Sequence, residues 1–168
     1  MTSSSPVDAR LYRDAIGRFA TGVTVVTVDD GVAPRGMTAN AVSSVSLDPV
    51  LLLVCVAKRA RSHQSLESAR AFAVNVLTVE QRELSDYFAR SSDTAADPMG
   101  SWPYRRASTG APVLEGALAW FDCRVTDWLP GGDHSIVIGE VVDMAVERPD
   151  AEPLLFQAGA YRRLGEPL

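Results

Sequence analysis

The chain contains ALAWFDCRVTDWLPGGDHSIVIGEVVDMAV at residues 117–146. Its two halves, residues 117–129 and 134–146, are rich in β-branched and aromatic side chains, which favour strands. Only Pro-Gly-Gly-Asp at residues 130–133 separates them, and these residue types are typical of tight turns. The pattern therefore predicts one long antiparallel hairpin in the last third of the chain.

The rest of the chain supplies further strands and a few helices. Strands are predicted where β-branched or apolar residues cluster between turn residues, and helices where apolar residues recur at helical spacing behind a capping residue. The predicted strands are 23–28, 37–46, 50–56, 72–77 and a short closing strand made of 154–156 and 160–161. The predicted helices are a first one behind Ser5 and Pro6 that runs to Phe19, a second at 61–70 and a third through Ala89 that Thr78 and Gln81 open as a capping box.

These elements favour a mainly β fold, an antiparallel barrel with peripheral helices, formed by a single domain over residues 1–168. Residues 50–56 are apolar on both faces, so this strand must be covered on both sides. Residues 91–112 are rich in Ser, Asp, Pro, Gly and Ala and predict a long loop, a feature that is usually functional or mobile.

Composition limits the classes of function. The 168 residues, 46% of them hydrophobic, are enough for one core and argue against a mostly disordered chain. The longest apolar run, residues 50–57, is too short for a membrane span, which takes about 20 residues. A net charge of −5 argues against general nucleic-acid binding. Residues 1–10 lack the apolar segment of a signal peptide, so the expected compartment is the cytoplasm.

Several common catalytic motifs do not occur. The sequence has no dinucleotide-binding glycine motif, P-loop, zinc-protease motif or C-x-x-C pair. The only histidines are His63 and His134, which disfavours a catalytic triad and a metal site. Cys55 and Cys123 lie far apart in hydrophobic stretches and are interpreted as small apolar residues. No role is assigned to His63.

Three segments could hold a ligand, and each also has a purely structural explanation. Residues 36–46 are small or carry hydroxyl groups, so a flat ligand could approach the main chain, although a solvated strand face looks the same. Residues 58–62, Lys-Arg-Ala-Arg-Ser, precede a predicted helix and suit a phosphate, but they could equally be a solvated loop. Residues 131–135 form a turn, and the turn alone does not explain His134.

Taken together, these segments resemble the flavin reductase-like family, the small NAD(P)H:flavin oxidoreductases that serve two-component flavin monooxygenases. The resemblance runs from about Tyr12 to Tyr161, and five motifs in the family's order carry it. They are GRFATGVTVVT at 17–27, GMTANA at 36–41 with SVSLDP at 44–49, FAVNVL at 72–77, GDH at 132–134 and PLLF at 153–156.

The resemblance implies a split β-barrel that forms a homodimer with flavin bound near the subunit interface. It implies that the isoalloxazine ring is lined by Thr38, Ala39, Asn40 and Ala41, with Ser43 and Ser44 beside it. It implies that the ribityl and phosphate end meets Ala57, Lys58, Arg61 and Ser62, and that Arg90 reaches the flavin tail. It places His134 beside the nicotinamide, with Gly159, Ala160 and Tyr161 as the nearby wall.

The implied reaction is hydride transfer from NADH or NADPH to N5 of FMN or FAD, after which reduced flavin leaves for a partner flavin-dependent monooxygenase. Neither a metal, a nucleic acid nor a membrane is implied. Ala41 and Val42 stand where many relatives have a serine and an aromatic residue, which leaves FMN or FAD open. The alternatives are an oxidase of the pyridoxamine-phosphate oxidase type with tightly held FMN, and a non-catalytic flavin- or haem-binding module.

Overall fold

Antiparallel strands are the main secondary structure of the protein, a computed structural model that describes residues 7–90 and 99–167. Short helices lie around the strands. The helices are α1 (Ala9–Ile16), α2 (Arg61–Ala69), a 3-10 turn (Val79–Gln81) and α3 (Arg82–Ala89). The strands are β1 (Thr21–Gly22), β2 (Thr24–Asp29), β3 (Pro34–Ala39), β4 (Val42–Leu47), β5 (Val50–Ala57), β6 (Ala71–Val76), β7 (Tyr104–Arg106), β8 (Pro112–Leu114), β9 (Ala119–Gly131), β10 (His134–Val146), β11 (Leu155–Gln157) and β12 (Ala160–Arg162).

Seven of these strands form one sheet in the order β3-β2-β6-β9-β10-β5-β4, and every neighbouring pair is antiparallel. β9 and β10 are the predicted long hairpin, with His134 opposite Gly131 and Val146 opposite Ala119. β3 and β4 are the two edges of the sheet, so hydrogen bonds do not close it. The predicted mainly β, antiparallel fold is confirmed, with the barrel left open between β3 and β4.

The prediction of a single strand over residues 37–46 is wrong. The chain forms β3 against β2 and then leaves strand geometry at Asn40 and Ala41 before it forms β4 against β5. Two bonds hold this crossing: Thr24 Oγ1 donates to the Ala39 carbonyl at 2.7 Å, and the Cys55 N–H donates to the Ala41 carbonyl at 3.0 Å. The crossing therefore joins the two edges of the open sheet.

The main core lies on the inner face of this sheet. Val54, Phe72 and Val137 are completely buried there. The prediction that residues 50–56 are covered on both sides is not confirmed in the single chain: Leu52, Val54 and Val56 are buried, whereas the alternate residues of β5 are only half-buried or exposed. Gly139 makes room for the aromatic ring of Phe72, because a Cβ at this position would lie 2.7 Å from Phe72 Cζ. The absence of a side chain at Gly139 is thus a packing requirement.

The helices differ from prediction mainly at their ends. α1 begins after Asp8, whose Oδ1 accepts the N–H groups of Arg10 and Leu11 at 2.7 and 3.1 Å, and none of its residues is buried. The predicted caps Ser5 and Pro6 lie outside the described residues. α2 is confirmed, and the bond of 3.2 Å from the Thr78 N–H to Gln81 Oε1 is one half of the predicted capping box before α3.

Two predictions for the second half of the chain are corrected. The predicted loop over residues 91–112 contains β7 and the start of β8, which pair with each other, while residues 91–98 lie outside the described part. The predicted closing strand is a β11–β12 hairpin that pairs with β1 in a separate sheet of three strands. Neither pattern was visible from periodicity, because strands of three residues are too short to show alternation.

Candidate functional site

A cavity of about 830 Å³ opens beside the crossing from β3 to β4. Its walls come from β3 and the crossing, from the end of β5, from the start of α2, from the end of α3 and from the start of β10. The lining residues are Arg35, Gly36, Met37, Thr38, Ala39, Asn40, Ala41, Cys55, Ala57, Arg59, Ala60, Arg61, Ser62, Phe88, Ala89, Arg90 and His134.

Small residues and main chain form the wall at the crossing. Ala39, Asn40 and Ala41 follow one another there, with Ala57 and the half-buried Cys55 on the neighbouring strand β5. Short side chains leave the peptide groups within reach of a ligand. This end of the cavity suits a flat molecule that contacts the backbone.

The two hydroxyl groups among the described residues that line the cavity already have partners. Thr38 Oγ1 donates to the Ser85 carbonyl in α3 at 2.7 Å, and Ser62 Oγ donates to Met37 Sδ at 3.1 Å. Since each hydroxyl has a single proton, Thr38 and Ser62 in this arrangement can only accept a hydrogen bond from a ligand. Both bonds also fix a helix against β3, which sets the width of the cavity.

The charge around the cavity is positive. Arg35, Arg59, Arg61 and Arg90 line it, and no carboxylate is among its described lining residues. Guanidinium groups bind phosphate through paired hydrogen bonds, so the cavity suits an anionic ligand. Lys58 points elsewhere: its Nζ donates to the Gly132 carbonyl at 2.7 Å and holds the turn between β9 and β10.

His134 lies at the cavity end of β10, opposite Ala57 in the register with β5. Its Nδ1 is 2.7 Å from Asp133 Oδ1. The hydrogen bond from His134, followed by the charge of His134, lowers the pKa of Asp133. Because a carboxylate only accepts, Nδ1 carries the proton, which leaves Nε2 as the nitrogen available to a ligand.

His63 belongs to a different contact. Its Nε2 is 2.9 Å from Ser135 Oγ, and its ring meets Trp128 edge-on with centroids 5.0 Å apart. These contacts join α2 to the β9–β10 hairpin outside the cavity. The sequence assigned no role to His63, and in the structure its contacts are structural.

The structure brings together most of the residues that the resemblance implied. Nine of them line the cavity: Thr38, Ala39, Asn40, Ala41, Ala57, Arg61, Ser62, Arg90 and His134. Lys58, Ser43 and Ser44 do not, and the two serines are exposed on β4. Roles for all of these residues stay predictions.

The wall implied at Gly159, Ala160 and Tyr161 does not line the cavity of the single chain. Tyr161 instead contacts α3, where its Oη donates to Asp86 Oδ1 at 2.9 Å and lies 2.9 Å from Ser85 Oγ. Burial raises the pKa of Tyr161 above its usual value. Ser85 thus binds both Thr38 in the cavity and Tyr161 outside it.

Sequence reasoning missed Arg35 and Cys55. Arg35 precedes the GMTANA motif and carried no signal of its own. Cys55 lies in a strand that is apolar on both faces, so the sequence does not reveal which of its residues face the cavity. Burial raises the pKa of its thiol.

A second cavity, of about 470 Å³, has a different character. Its lining includes Glu80, Glu147, Asp150 and Glu152 beside Arg148. Most of these charges repel an anion, and no group of His, Cys, Asp or Glu within residues 7–90 and 99–167 is arranged to hold a metal ion. Among the helices of that same part of the chain, none is long and apolar enough to cross a membrane.

The fold and the larger cavity define a class: a mainly β protein with an open antiparallel barrel and, at its seam, a cavity of small residues and arginines that suits a flat, anionic ligand. The profile of the Flavin reductase like domain matches residues 16–165, and the chain belongs to this family. The predicted family is therefore confirmed.

Individual relatives are similar over most of the chain. A probable flavin reductase of Rhizobium meliloti is 44% identical over 155 residues, which cover 92% of this chain and 48% of the relative. The flavin-dependent monooxygenase reductase subunit HsaB of Mycobacterium tuberculosis is 37% identical over 159 residues, or 94% of this chain and 83% of the relative. The solved NADH:FAD oxidoreductase of Streptomyces globisporus has a TM-score of 0.90 at 40% identity and covers 99% of both chains.

The chain spans less than half of the length of the first of these relatives. All three are named as reductases or as an oxidoreductase. These names do not favour the two alternatives from the sequence, the pyridoxamine-phosphate oxidase type and the non-catalytic module.

Proposed function

We propose that this chain is an NAD(P)H-dependent flavin reductase that binds FMN or FAD in the larger cavity. The observation that carries the proposal is the combination of a wall of small residues at Ala39–Ala41, His134 at its edge and four arginines along the same cavity. A flavin has the matching parts, which are a flat ring system and an anionic tail. The relatives named as flavin reductases support this assignment.

The lining residues fit such a ligand. The ring would lie against Ala39, Asn40 and Ala41, where only short side chains separate it from the backbone. The phosphate would lie at the start of α2, where Arg59 and Arg61 flank the first turn. Helix N–H groups and guanidinium groups both favour negative charge at that position.

The flavin, when bound, supplies N5 as the acceptor of a hydride from the nicotinamide of NADH or NADPH. The chain's own contribution is alignment, since two rings held face to face react without a protein nucleophile. Backbone N–H groups at the crossing would stabilise negative charge on the ring. His134 would orient the nicotinamide with Nε2, while Asp133 holds its Nδ1 proton.

The test is nicotinamide oxidation by the purified chain, followed at the absorbance of the reduced coenzyme. NADH and NADPH are each offered with FMN, FAD and riboflavin. We expect oxidation that requires added flavin and obeys saturation in both substrates. Oxidation no faster than in the absence of protein, with all three flavins, would refute the proposal.

The proposal also covers the partner proteins and the cellular compartment. Reduced flavin would leave for a flavin-dependent monooxygenase component, as the name of the reductase subunit relative suggests. Apolar side chains on α1 and near the β4–β5 turn are exposed, among them Leu11 at 67% and Leu47 at 87%, and they would pack against a second copy in a homodimer. Because the reaction consumes reduced nicotinamide coenzyme, we place it in the cytoplasm.

A further inference from the structure

His63 and Ser135 form a hydrogen-bonded pair that lies outside the cavity. His63 Nε2 is 2.9 Å from Ser135 Oγ, and Ser135 is only 2% exposed. Neither residue is among those that line the cavity. Ser62, which precedes His63, does line it, and so does His134, which precedes Ser135. The pair therefore connects two segments that each carry a cavity residue.

The helical half of the pair belongs to the first turn of α2. Arg61 and Ser62 of this turn line the cavity, and the N-cap residue Ala60 offers no side-chain acceptor to the helix N–H groups. Ser62 Oγ donates to Met37 Sδ at 3.1 Å, which holds the turn to β3. His63 holds the same turn to β10. The start of α2 is thus fixed on two sides.

The strand half of the pair belongs to the start of β10. His134 and Ser135 are consecutive in this strand, so their side chains point to opposite faces of the sheet. The ring of His63 also meets Trp128 of β9 edge-on, with centroids 5.0 Å apart. His63 therefore contacts the β9–β10 hairpin on the face that His134 does not use.

We propose that His63 is a positioning residue for flavin binding: through Ser135 it holds the first turn of α2 in place beside the hairpin that carries His134. This inference rests on the proposed function, in which the flavin phosphate lies at the start of α2. Without the bond, the turn keeps its contact with Met37 but loses its bond to β10, so the groups that face the phosphate are less well placed. Binding of the phosphate should suffer, whereas the ring wall at Ala39–Ala41 makes no bond with the pair.

The test compares FMN with riboflavin, which has the same ring system and no phosphate. Dissociation constants for the purified full-length chain are measured by isothermal titration calorimetry. His63→Phe keeps an aromatic ring beside Trp128 and removes the hydrogen bond. We expect it to weaken FMN binding about fivefold, less than the tenfold or more expected when a charge-assisted bond is lost altogether. Riboflavin binding should stay within about twofold.

A second variant separates positioning from stability. His63→Phe leaves the buried hydroxyl of Ser135 without its partner, so the melting temperature should fall. Adding Ser135→Ala removes that hydroxyl, so the double variant should recover most of the melting temperature while its affinity for FMN stays about fivefold low.

Two further variants serve as controls. His63→Gln supplies an amide that can donate to Ser135 or accept from it, whichever atom carries the proton, and should retain the affinity for FMN within about twofold. Gln64→Ala, at an exposed position of the same helix, should change the affinity for neither flavin.

Four results would overturn the inference. An FMN affinity unchanged by His63→Phe would show that the bond is dispensable. Equal weakening of FMN and riboflavin would show that the pair supports the whole cavity and not the phosphate end. Recovery of FMN affinity together with the melting temperature in the double variant would assign the loss to stability alone. Equal affinities for FMN and riboflavin in the unmodified chain would leave no phosphate contact for His63 to position. If neither flavin binds the unmodified chain, the proposed function fails, which is a different result from these four.

Discussion

Replacing His134 should impair the alignment of the nicotinamide while leaving the fold intact. His134 is half-buried at the cavity edge, and its ring pairs with the carboxylate of Asp133 on the turn. His134→Ala should slow hydride transfer about 10- to 100-fold, the scale expected when reacting groups are misplaced by about 1 Å. Rapid-mixing measurement of flavin reduction at saturating coenzyme tests this, with thermal unfolding as the control for the fold.

Unchanged reduction together with unchanged coenzyme affinity would remove His134 from the site. Asp133→Asn is the matched variant, and its effect should be no more than about fivefold because the carboxylate is exposed. The hydrogen bond from His134 lowers the pKa of Asp133. The pairing is therefore complete above the ordinary Asp value of about 3.9 and is lost as the pH falls through the lowered value.

The rate at which the Cys55 thiol is labelled should show whether a ligand occupies the larger cavity. Cys55 is half-buried in the cavity, whereas Cys123 is completely buried in the core, where burial and the charge of Asp122 raise the pKa of its thiol to about 12. A maleimide should therefore label Cys55 and spare Cys123, and labelling should accelerate with pH because the thiolate is the reactive form.

Saturating FAD should slow the labelling of Cys55 at least about fivefold, since most molecules then have FAD bound in the cavity. Peptide mapping by mass spectrometry identifies the labelled thiol. A Cys55→Ser variant provides the blank. Labelling of Cys55 at the same rate with and without FAD, at a concentration that saturates binding, would place the flavin outside this cavity.

At the level of single residues, the sequence identified the motifs of the cavity but not all of its charges. Ala39, Asn40 and Ala41 belong to one motif, so reading the motif found them together. Arg35 and Cys55 reach the cavity because β3 and β5 both border it, and that proximity exists only in the folded sheet. Lys58 was expected in the cavity but bonds a carbonyl that the β9–β10 turn brings to it.

Among the elements, β2, β6 and β8 are joined by one buried side chain, that of Asn75. Its Nδ2 donates to the Val25 carbonyl at 3.0 Å and to Thr27 Oγ1 at 3.1 Å, and its Oδ1 accepts the Leu114 N–H at 2.8 Å. Asn75→Ala would leave the buried Leu114 N–H without this acceptor and would remove two further buried hydrogen bonds to β2. We expect it to lower the free energy of unfolding by about 2–4 kcal/mol.

Chemical denaturation of the purified chain measures this change. Asn75→Asp, with nearly the same shape, should also destabilise the fold, because a carboxylate cannot donate to the Val25 carbonyl or to Thr27. A loss below about 0.5 kcal/mol for both variants would show that the three bonds are dispensable.

Elements with strong patterns were predictable and short ones were not. The β9–β10 hairpin and α2 match their predictions because periodicity and turn residues act within the segment itself. β3 and β4 were predicted as one strand because nothing local in residues 37–46 records that the two halves pair with opposite edges of the sheet. The division into two strands depends on β2 and β5, with which the two halves pair.

At the scale of the whole molecule, several large apolar side chains are exposed to solvent in the single chain. Leu11, Tyr12, Ile16 and Phe19 on and after α1 are all more than half exposed. We expect the purified chain to sediment as a dimer, and Leu11→Glu combined with Ile16→Glu to shift it toward monomer by at least about tenfold in dissociation constant, because charges are costly in a buried interface.

Analytical ultracentrifugation across a concentration series tests the prediction. Arg10→Glu, on the same helix, replaces one charged side chain by another and serves as the control. A monomer at every concentration for the unmodified chain would refute the proposed homodimer. A dimer that the double variant leaves intact would place the interface away from α1.

The opening between β3 and β4 has one more consequence, for handling the purified chain. Unpaired strand edges are the usual sites of edge-to-edge association. α2 and α3 pack against β3, whereas β4 presents Ser43, Ser44 and Val45 to solvent. A concentrated preparation without bound small molecules should therefore precipitate through β4 first, and additives that occupy the gap should lengthen its shelf life.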